Sequence, residues 1–314
     1  MTLITAGARA RATFTPEDEA ARPYAFPTVA PYNVATASLT PTPDGTGSTI
    51  HPSVIDMVAE RGSALRGYRY WMGNTPFYQE NAVVEDPIIL ASNGGYDWKT
   101  PAGVVNPLDD APEPAYNSDT EIMWDPDASR VVLYWRRGNG DLHAATSADG
   151  ATWTKHMNRL TGIGTLSTLS PAIARVGVNQ WVMFLNQYNY GTESGTLGKY
   201  TATSPLGPWT YVASSNEPKP TGYASGVWHH SVRWHGGRFL FLGTTRTGSP
   251  PAIFAASSTD GLTWTCSAPI ITGATYRPTF VIDGSTAHVW YGLNMGAASW
   301  RTVYTQVPTS VWPA

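Results

Sequence analysis

The segment Asp149-Gly150-Ala151-Thr152-Trp153 returns as Asp260-Gly261-Leu262-Thr263-Trp264, and each places a tryptophan directly after a turn. Two further segments of this kind end at Trp98 and Trp209, and a shorter unit ends at Trp312. The intervals are 55 residues (98 to 153), 56 (153 to 209), 55 (209 to 264) and 48 (264 to 312). A period of about 40 to 50 residues with one aromatic residue per unit is typical of β-propellers. Five units therefore predict five blades.

Short apolar runs between the tryptophans predict the strands of each blade. In the second unit, Val131-Val132-Leu133-Tyr134-Trp135 is followed by Leu142-His143-Ala144-Ala145-Thr146-Ser147, a run with smaller side chains. Equivalent pairs recur in the other units and are separated by glycine, aspartate and asparagine, which is the pattern of antiparallel hairpins. No segment has a convincing helical pattern. We therefore predict an all-β chain with a five-bladed β-propeller over residues 51–314.

Composition excludes several classes of partner. The chain has 314 residues and a net charge of −3, from 20 basic and 23 acidic residues. It contains no run of lysine and arginine, so a nucleic-acid partner is not expected. It contains no apolar run near 18 residues, so membrane insertion is not expected either. Aromatic residues make up 12% of the chain, with 13 tryptophans and 16 tyrosines, which favours an all-β protein that presents aromatic faces to sugars.

Residues 1–50 lack the alternation of the blades. Threonine and alanine dominate this segment, and prolines interrupt any helix or central strand, among them Pro23, Pro27, Pro31, Pro41 and Pro43. We predict an extended arm that becomes ordered by packing on the propeller or on another chain. The arm would then be a docking segment for other proteins of an assembly, and a homo-oligomer is left open.

The chain start and the cysteine count bear on location. The first nine residues, Met1 to Arg9, lack the apolar core of a secretory signal. The single cysteine, Cys266, cannot form an internal disulfide. We therefore expect synthesis in the cytoplasm, followed by a location in a virion or outside the cell that is reached without such a signal.

Functional residues are expected on one face of the propeller. The first strands of the blades start near the central axis on that face, and the loops between second and third strands open there too, so both line a funnel. The starts of the first strands supply these candidates: His51, Asp119, Glu121, Trp228, His229, His230 and Arg277. The loops supply four more: Tyr78, Glu85, Asp86 and Tyr188. Tyr78 is a sugar-stacking candidate, with simple packing as the alternative.

The pattern over residues 50–312 resembles the five-bladed glycoside hydrolases that include arabinanases and β-xylosidases. The resemblance rests on the start His51-Pro52-Ser53-Val54-Ile55 and on the Asp-Gly-x-x-Trp turns. It implies a base aspartate in blade 1, an orienting aspartate in blade 2 and an acid glutamate in blade 3. It also implies a funnel histidine in blade 4 and an Arg-Pro pair in blade 5. Asp119, His229 or His230, and Arg277-Pro278 match three of these positions.

Two positions depart from that pattern. His51 stands where the base aspartate is expected, and Ser170 stands near the expected acid glutamate. Inverting hydrolysis needs two carboxyl groups on opposite sides of the sugar ring, one protonated and one ionised. A histidine and a serine do not supply that pair. The resemblance therefore implies a sugar funnel with an incomplete set of catalytic groups.

A different carboxyl pair is the catalytic hypothesis. Asp86, at the end of the blade 1 loop on the funnel face, is expected nearest the vacated base position, and Asp119 keeps the blade 2 position, so these two are the predicted catalytic residues. Glu85, Glu121 and His51 are predicted to bind substrate with the aromatic and basic candidates. The alternatives are structural: Asp86 caps its loop, Asp119 pairs with Arg277 or a histidine, and Glu121 is a buried ion-pair partner.

The same residue types raise the question of a metal. His51, His229 and His230 with Asp119 are ligand types, but their spacing matches no metal motif. We therefore predict no metal site and no cofactor, and leave open a calcium ion at the axis, held by carboxylates and carbonyls.

The sequence leaves three candidate functions. The first is a carbohydrate-recognising propeller without hydrolysis, a phage adhesin or receptor-binding protein of the tail or capsid surface. It is favoured by the missing signal and the arm, and by a resemblance of the segment from Tyr70 onward to propeller modules of phage and bacterial surfaces. The second is a glycoside hydrolase that uses a rearranged carboxylate pair on an arabinan-like cell-surface polysaccharide. The third is a purely structural decoration protein of a virion.

Overall fold

Five antiparallel sheets are arranged around one axis in the computed structural model of the protein. It describes residues 36–37, 40–111, 114–138, 140–160, 166–192, 194–223, 226–246, 251–297 and 299–314. The first strands of neighbouring sheets contact one another in a ring, and the ring closes because the last of them contacts the first. The predicted five-bladed β-propeller is confirmed.

The elements follow the chain blade by blade. β1 (Thr36–Ala37) precedes blade 1, which contains β2 (Thr49–Asp56), β3 (Tyr70–Pro76) and β4 (Ile88–Ser92). Blade 2 contains β5 (Asn117–Asp125), β6 (Arg130–Arg137), β7 (Asp141–Ser147) and β8 (Thr154–Leu160). Blade 3 contains β9 (Ser167–Gly177), β10 (Gln180–Asn189), β11 (Ser194–Ala202) and β12 (Thr210–Asn216).

The remaining strands form two blades. Blade 4 contains β13 (Val227–His235), β14 (Arg238–Thr245), β15 (Ala252–Ser258) and β16 (Thr265–Thr272). Blade 5 contains β17 (Thr275–Asp283), β18 (Thr286–Asn294) and β19 (Trp300–Pro308). Three 3-10 turns, Tyr78–Glu80, Ala82–Val84 and Thr309–Val311, connect or end these strands.

The repeating tryptophans fill the gaps between blades. Trp153 packs on a buried cluster that joins Trp71 of blade 1 to Trp135 of blade 2. Four more clusters occupy the other gaps, and each contains or contacts one repeat tryptophan: Trp209 between blades 2 and 3, Trp264 between 3 and 4, Trp312 between 4 and 5, and Trp98 between 5 and 1. One large apolar residue per gap explains the period in the sequence.

The aspartates of the repeat turns are structural. Asp149 Oδ1 accepts the backbone N–H groups of Ala151 and Thr152 at 2.8 Å each. Asp260 accepts the equivalent pair in blade 4. These bonds satisfy turn amides, as the residue types predict.

Part of the proline-rich segment joins the propeller. The backbone of β1 pairs with β19, so two residues from before the repeats form the outer strand of blade 5. Thr40 and Thr49 are buried and lie 3.2 Å apart between their hydroxyl oxygens. Residues 1–35 and 38–39 of the predicted arm lie outside the described residues, so its docking role stays a prediction.

A single short helix lies on the face opposite the starts of the first strands, within the described ranges. Helix α1 (Met57–Arg61) follows β2 directly. Asp56 begins it by accepting the backbone N–H groups of Val58 and Ala59, and Gly62 ends it with φ of 81°. No helix in the part of the chain that the structure describes is long and apolar enough to cross a membrane.

Candidate functional site

A bulge near the start of each first strand aims one or two side chains at the axis. In β2, β5, β9, β13 and β17 the pairing with the neighbouring strand skips two residues at the same level. The skipped pairs are His51-Pro52, Asp119-Thr120, Ser170-Pro171, Trp228-His229 and Arg277-Pro278. His51, Asp119 and Ser170 also adopt positive φ values of 62°, 56° and 50°. Bulges and backbone conformations of this kind cluster at functional sites.

Three of these side chains converge. His51 Nε2 lies 3.4 Å from Asp119 Oδ1, and His229 Nδ1 lies 3.1 Å from the same oxygen. All three residues are buried, and their ligand atoms lie within 4.8 Å of one another. Neither His51 Nε2 nor Asp119 Oδ1 completes a hydrogen bond of good geometry in the described part of the chain. These two atoms are therefore available to another group, whereas the third, His229 Nδ1, lies 2.6 Å from the hydroxyl oxygen of Ser170.

Arg136 is the main group that keeps Asp119 ionised, and Arg277 lies further away. Arg136 Nε donates to Asp119 Oδ2 at 2.7 Å, and Arg277 Nη1 lies 3.9 Å from Oδ1. Burial alone would raise the pKa of Asp119, but the charge of Arg136 and contacts with both histidines hold that pKa well below its usual value. Because Arg136 occupies only Oδ2, Oδ1 stays directed at His51 and His229.

The imidazole of His51 is oriented from its other side. Glu85 Oε2 lies 3.2 Å from His51 Nδ1, and Ser118 Oγ lies 3.2 Å from the same nitrogen. Ser118 also donates to Glu85. With its proton on Nδ1, the His51 imidazole would donate toward Glu85 and present the lone pair of Nε2 toward Asp119 and His229.

His229 has an aromatic partner on its outer side. His229 Nε2 lies 2.7 Å from the hydroxyl oxygen of Tyr276, and Trp228 Nε1 donates to the same oxygen at 2.7 Å. Burial lowers the pKa of His229 to about 3, so its imidazole is neutral near pH 7. Burial also raises the pKa of Tyr276, which keeps the phenol protonated.

Three aromatic side chains in mutual contact line one side of the cluster. The rings of Tyr188, Tyr190 and Trp228 meet edge to face, with centroids 4.8 to 6.2 Å apart. Tyr190 is 53% exposed, so its ring presents an accessible aromatic face. Tyr78 is 44% exposed on the blade 1 side and makes no ring contact in the described residues. These positions leave Tyr188, Trp228 and Tyr78 as predicted sugar contacts.

Glu121 and His230 lie beneath the cluster. Glu121 is fully buried and contacts Arg233 at 2.9 Å, Arg277 at 3.4 Å and the hydroxyl of Ser53 at 2.9 Å. Glu121 is therefore a buried ion-pair partner, which the sequence analysis gave as the structural alternative to substrate binding. His230 is also fully buried and stacks on Phe241, with burial lowering its pKa to about 3.

Asp86 faces away from the converging atoms. Its Oδ1 accepts the backbone N–H of Ala111 at 3.1 Å and the amide of Asn117 at 2.8 Å. Burial raises its pKa to about 6, with Asp110 close by. The structure thus brings Glu85, rather than Asp86, into contact with the cluster. A catalytic pair of Asp86 and Asp119 stays a prediction that these contacts do not favour.

Two separations within the cluster suit a single divalent cation. Ligand atoms about 2.1 Å from one ion lie roughly 3.0 to 3.4 Å apart at octahedral or tetrahedral angles, and the two distances to Asp119 Oδ1 fall in that range. The two histidine nitrogens lie within 4.8 Å of each other. Two imidazoles and one carboxylate suit zinc and other divalent transition metals. Glu85 supports His51 as an outer carboxylate commonly supports a ligating histidine. No metal motif in the sequence indicated this, because each ligand comes from a different blade.

Arg136, Ser118 and Tyr276 were not among the predicted site residues. Arg136 lies on β6, a second strand, and reaches the cluster only because β6 pairs with β5. Ser118 and Tyr276 stand directly before Asp119 and Arg277, so a wider view of the strand starts could have included them.

Comparisons with known proteins agree with this fold. No family model matches the sequence. A segment of 112 residues is 30% identical to an A type blood N-acetyl-α-D-galactosamine deacetylase of Flavonifractor plautii. That match covers 33% of this chain and 14% of the relative, so the chain accounts for a small part of that protein's length.

Solved structures extend the likeness over most of the chain. The structure of an N-acetylgalactosamine deacetylase from F. plautii, in complex with blood group B trisaccharide, aligns with a TM-score of 0.71 at 18% identity, covering 89% of this chain and 96% of that one. A thermostable family-43 glycoside hydrolase aligns at 0.57 and 12%, covering 83% and 89%. An exo-β-1,3-galactanase from Phanerochaete chrysosporium aligns at 0.61 and 10%, covering 88% and 65%. The predicted resemblance to propeller glycoside hydrolases is confirmed as a shared fold.

Proposed function

We propose that the protein hydrolyses the N-acyl group of an N-acetylated amino sugar, with a divalent cation held by His51, Asp119 and His229. The observation that carries this is the convergence of their three ligand atoms in the funnel. Support comes from the deacetylase name of the relative that matches 33% of the chain and of the structure that aligns over 89% of it.

The arrangement of carboxyl groups favours this reaction over cleavage of a glycosidic bond. Glu85 and Asp119 both contact the same imidazole, that of His51, on its two nitrogens. Arg136 keeps Asp119 ionised, and the carboxylate of Glu121 is occupied by ion pairs with Arg233 and Arg277. A glycosidase needs two carboxyl groups on either side of the sugar ring with separated pKa values. The described residues supply no such pair around the axis.

The residues around the cation have separable tasks. A bound divalent cation would polarise the acyl carbonyl and make a water more acidic. Within the described residues no arginine contacts the Glu85 carboxylate, and His51 and Ser118 occupy only its Oε2. We assign Glu85 to take a proton from the attacking water and to pass it to the leaving nitrogen. The oxygen of water bonds to the acyl carbon, the carbon–nitrogen bond breaks, and acetate and the free amine result.

Tyr276 has the geometry of an electrophilic partner. When His229 binds through Nδ1, its proton lies on Nε2 and is donated to the Tyr276 oxygen. Trp228 donates to the same oxygen. With both lone pairs of that oxygen engaged, the phenol proton is left free to donate to the acyl oxygen as negative charge develops there.

One assay separates the candidate functions. Metal-free protein, prepared with a chelator, is supplied with Zn²⁺, Mn²⁺ or Ni²⁺ and incubated with methyl glycosides of N-acetylgalactosamine and N-acetylglucosamine, and with blood-group trisaccharides. We expect acetate and free amine to appear together, and only with a cation. New reducing ends without acetate would instead establish the glycoside hydrolase alternative. Binding without either product would favour the carbohydrate-recognition function predicted from the sequence. A virion location stays a prediction.

A further inference from the structure

The central channel has a second opening on the face opposite the candidate site. The first strands run from one face to the other, so their last residues meet at the far end of the axis. There they line a cavity of about 370 Å³, which we call the far cavity. All five first strands contribute to its wall, and helix α1 contributes Glu60. Its volume falls in the range of small-ligand pockets.

The far cavity is separate from the His51–Asp119–His229 cluster. Glu121 lies between them, with Arg233 at 2.9 Å on one side and Arg277 at 3.4 Å on the other. Glu121 and Arg277 are fully buried, and Arg233 lines the far cavity. This network closes the channel, so a molecule in the far cavity cannot reach the cluster along the axis.

The wall of the far cavity combines aromatic faces with polar groups at its rim. Trp124, Trp181 and Trp234 line it, and Trp234 is only partly buried. Arg61 covers Trp124 from the helix side, with its guanidinium carbon 5.7 Å from the ring centroid. Trp234 offers an accessible stacking face, held edge to face by Phe239, whereas Trp124 and Trp181 are almost fully buried and form part of the wall.

The polar groups of the rim are not all engaged. Arg233 is neutralised by Glu121, and Arg175 Nη2 donates to Asp127 at 3.0 Å. The carboxylate of Glu60 makes no hydrogen bond or ion pair within the described ranges, and the exposed His235 lines the same cavity. Glu60 therefore supplies two acceptor oxygens, and Arg175 and His235 supply further polar positions.

We propose that the far cavity binds a sugar ring of a glycan, as a non-catalytic site on the face opposite the cluster. A pyranose has an apolar face of C–H groups for Trp234 and equatorial hydroxyls that suit the carboxylate of Glu60 and the guanidinium of Arg175. A small cation would meet Glu60 but also the guanidinium groups of Arg175 and Arg233, which oppose it. Two sugar sites on opposite faces would let one molecule contact two segments of a glycan surface.

Indole resonances give each face its own reporter. Two-dimensional ¹H–¹⁵N spectra of the full chain would follow the Nε1–H groups of Trp234, Trp124 and Trp228, assigned with single Trp→Phe variants. Trp228 reports on the candidate site, whereas Trp234 and Trp124 report on the far cavity. The probes are the methyl glycosides of galactose, glucose, N-acetylgalactosamine and N-acetylglucosamine, up to roughly 50 mM, and tetramethylammonium chloride.

We expect at least one glycoside to shift the Trp234 or Trp124 resonance, equally in wild type and in His229→Ala. Glu60→Ala, an exposed substitution that leaves the fold intact, should weaken this binding about tenfold, the loss of a charged hydrogen bond. The proposal is overturned when no glycoside moves these two resonances, when Glu60→Ala leaves the binding unchanged, or when tetramethylammonium alone shifts them. If the glycosides shift the Trp234 or Trp124 resonance of the wild-type protein but leave the Trp228 resonance in place, the result would count against the deacetylase function and not against the sugar site in the far cavity.

Discussion

Nε2 of His51 and Oδ1 of Asp119 lie 3.4 Å apart, although the two residues belong to different blades. Both sit on bulges with positive φ values, so the backbone turns their side chains out of the sheet plane and toward the axis. His229 reaches the same oxygen from a third blade at 3.1 Å. The fold thus builds one site from the same bulge in three repeats.

Removing a ligand should weaken cation binding. His229→Ala deletes one of the three ligand atoms, and Asp119→Asn removes the ligand charge, so we expect each to weaken affinity beyond the roughly 10- to 100-fold effect of losing an outer partner. Isothermal titration of chelator-treated protein with Zn²⁺ or Mn²⁺ measures this. The matched control is Asp260→Asn, which alters an exposed turn carboxylate and should leave the affinity unchanged. Equal affinity in wild type and His229→Ala would contradict the assignment.

Glu85→Gln should separate two tasks of one carboxylate. The amide oxygen still accepts, but the charge beside the His51 imidazole is lost, so cation affinity should fall about 10- to 100-fold. Proton transfer is lost as well, so kcat for acetate release should fall a further 100- to 10,000-fold, roughly, at saturating cation. Ser118→Ala is the control, because it removes a hydrogen bond to Glu85 but leaves the carboxylate in place. A Glu85→Gln protein with normal kcat at saturating cation would show that Glu85 only positions His51.

Arg136 is expected to be needed for stability. Its Nε donates to Asp119 at 2.7 Å and its Nη1 donates to the carbonyl of Gly138, and Asp119 is fully buried. Arg136→Met leaves a buried carboxylate with one arginine at 3.9 Å, so the free energy of unfolding should fall by about 3–5 kcal/mol. Urea denaturation checks this. Arg175→Met removes a partner of Asp127 from a pair in which both side chains are about a third exposed, and should cost about 1 kcal/mol or less. Similar losses in both variants would be evidence against a special role for Arg136.

The pKa of Asp86 predicts a pH dependence of stability. Burial raises this pKa from 3.8 to about 6, so the folded state favours the protonated carboxyl. The resulting stability is complete below about pH 4 and is lost as the pH rises through about 6. Asp86→Asn keeps an acceptor for Ala111 and Asn117 without the charge. The stability advantage of the variant over wild type should therefore grow between about pH 4 and pH 6 and stay level at higher pH, measured as the difference in urea midpoints. A difference that stays constant with pH would contradict the raised pKa.

The fold was predictable because its signal is local and repeated. Each tryptophan fills the gap beside its blade, so the spacing of one residue type reports the number of blades directly. The starts of the first strands were predictable for the same reason, and His51, Asp119, His229 and Arg277 do meet at the axis.

The chemistry of the site was harder to predict, because it depends on distances between blades. The sequence does not show whether Glu85 or Asp86 turns inward, since they are adjacent residues of one loop. It does not show that Arg136 reaches Asp119 from a second strand. The proline after His51, Ser170 and Arg277 is a usable signal, since a residue without an N–H group fits a bulge. The same reasoning applied to blades 2 and 4 finds no proline, yet both have the bulge.

Tyr276→Phe tests the step in which charge develops on the acyl oxygen. The Tyr276 oxygen lies 2.7 Å from both His229 Nε2 and Trp228 Nε1, so the phenol proton is left to point toward a substrate. Removing the hydroxyl deletes a donor that acts mainly in the transition state, and kcat for acetate release should fall about 100- to 1,000-fold with little change in KM. Cation affinity should fall by less than about tenfold, since the substitution leaves all three ligands in place. Trp228→Phe is the paired variant: it removes one donor to the phenol oxygen and should lower kcat by less than Tyr276→Phe. A Tyr276→Phe protein that loses the cation but keeps kcat once cation is saturating would mean that Tyr276 only orients His229.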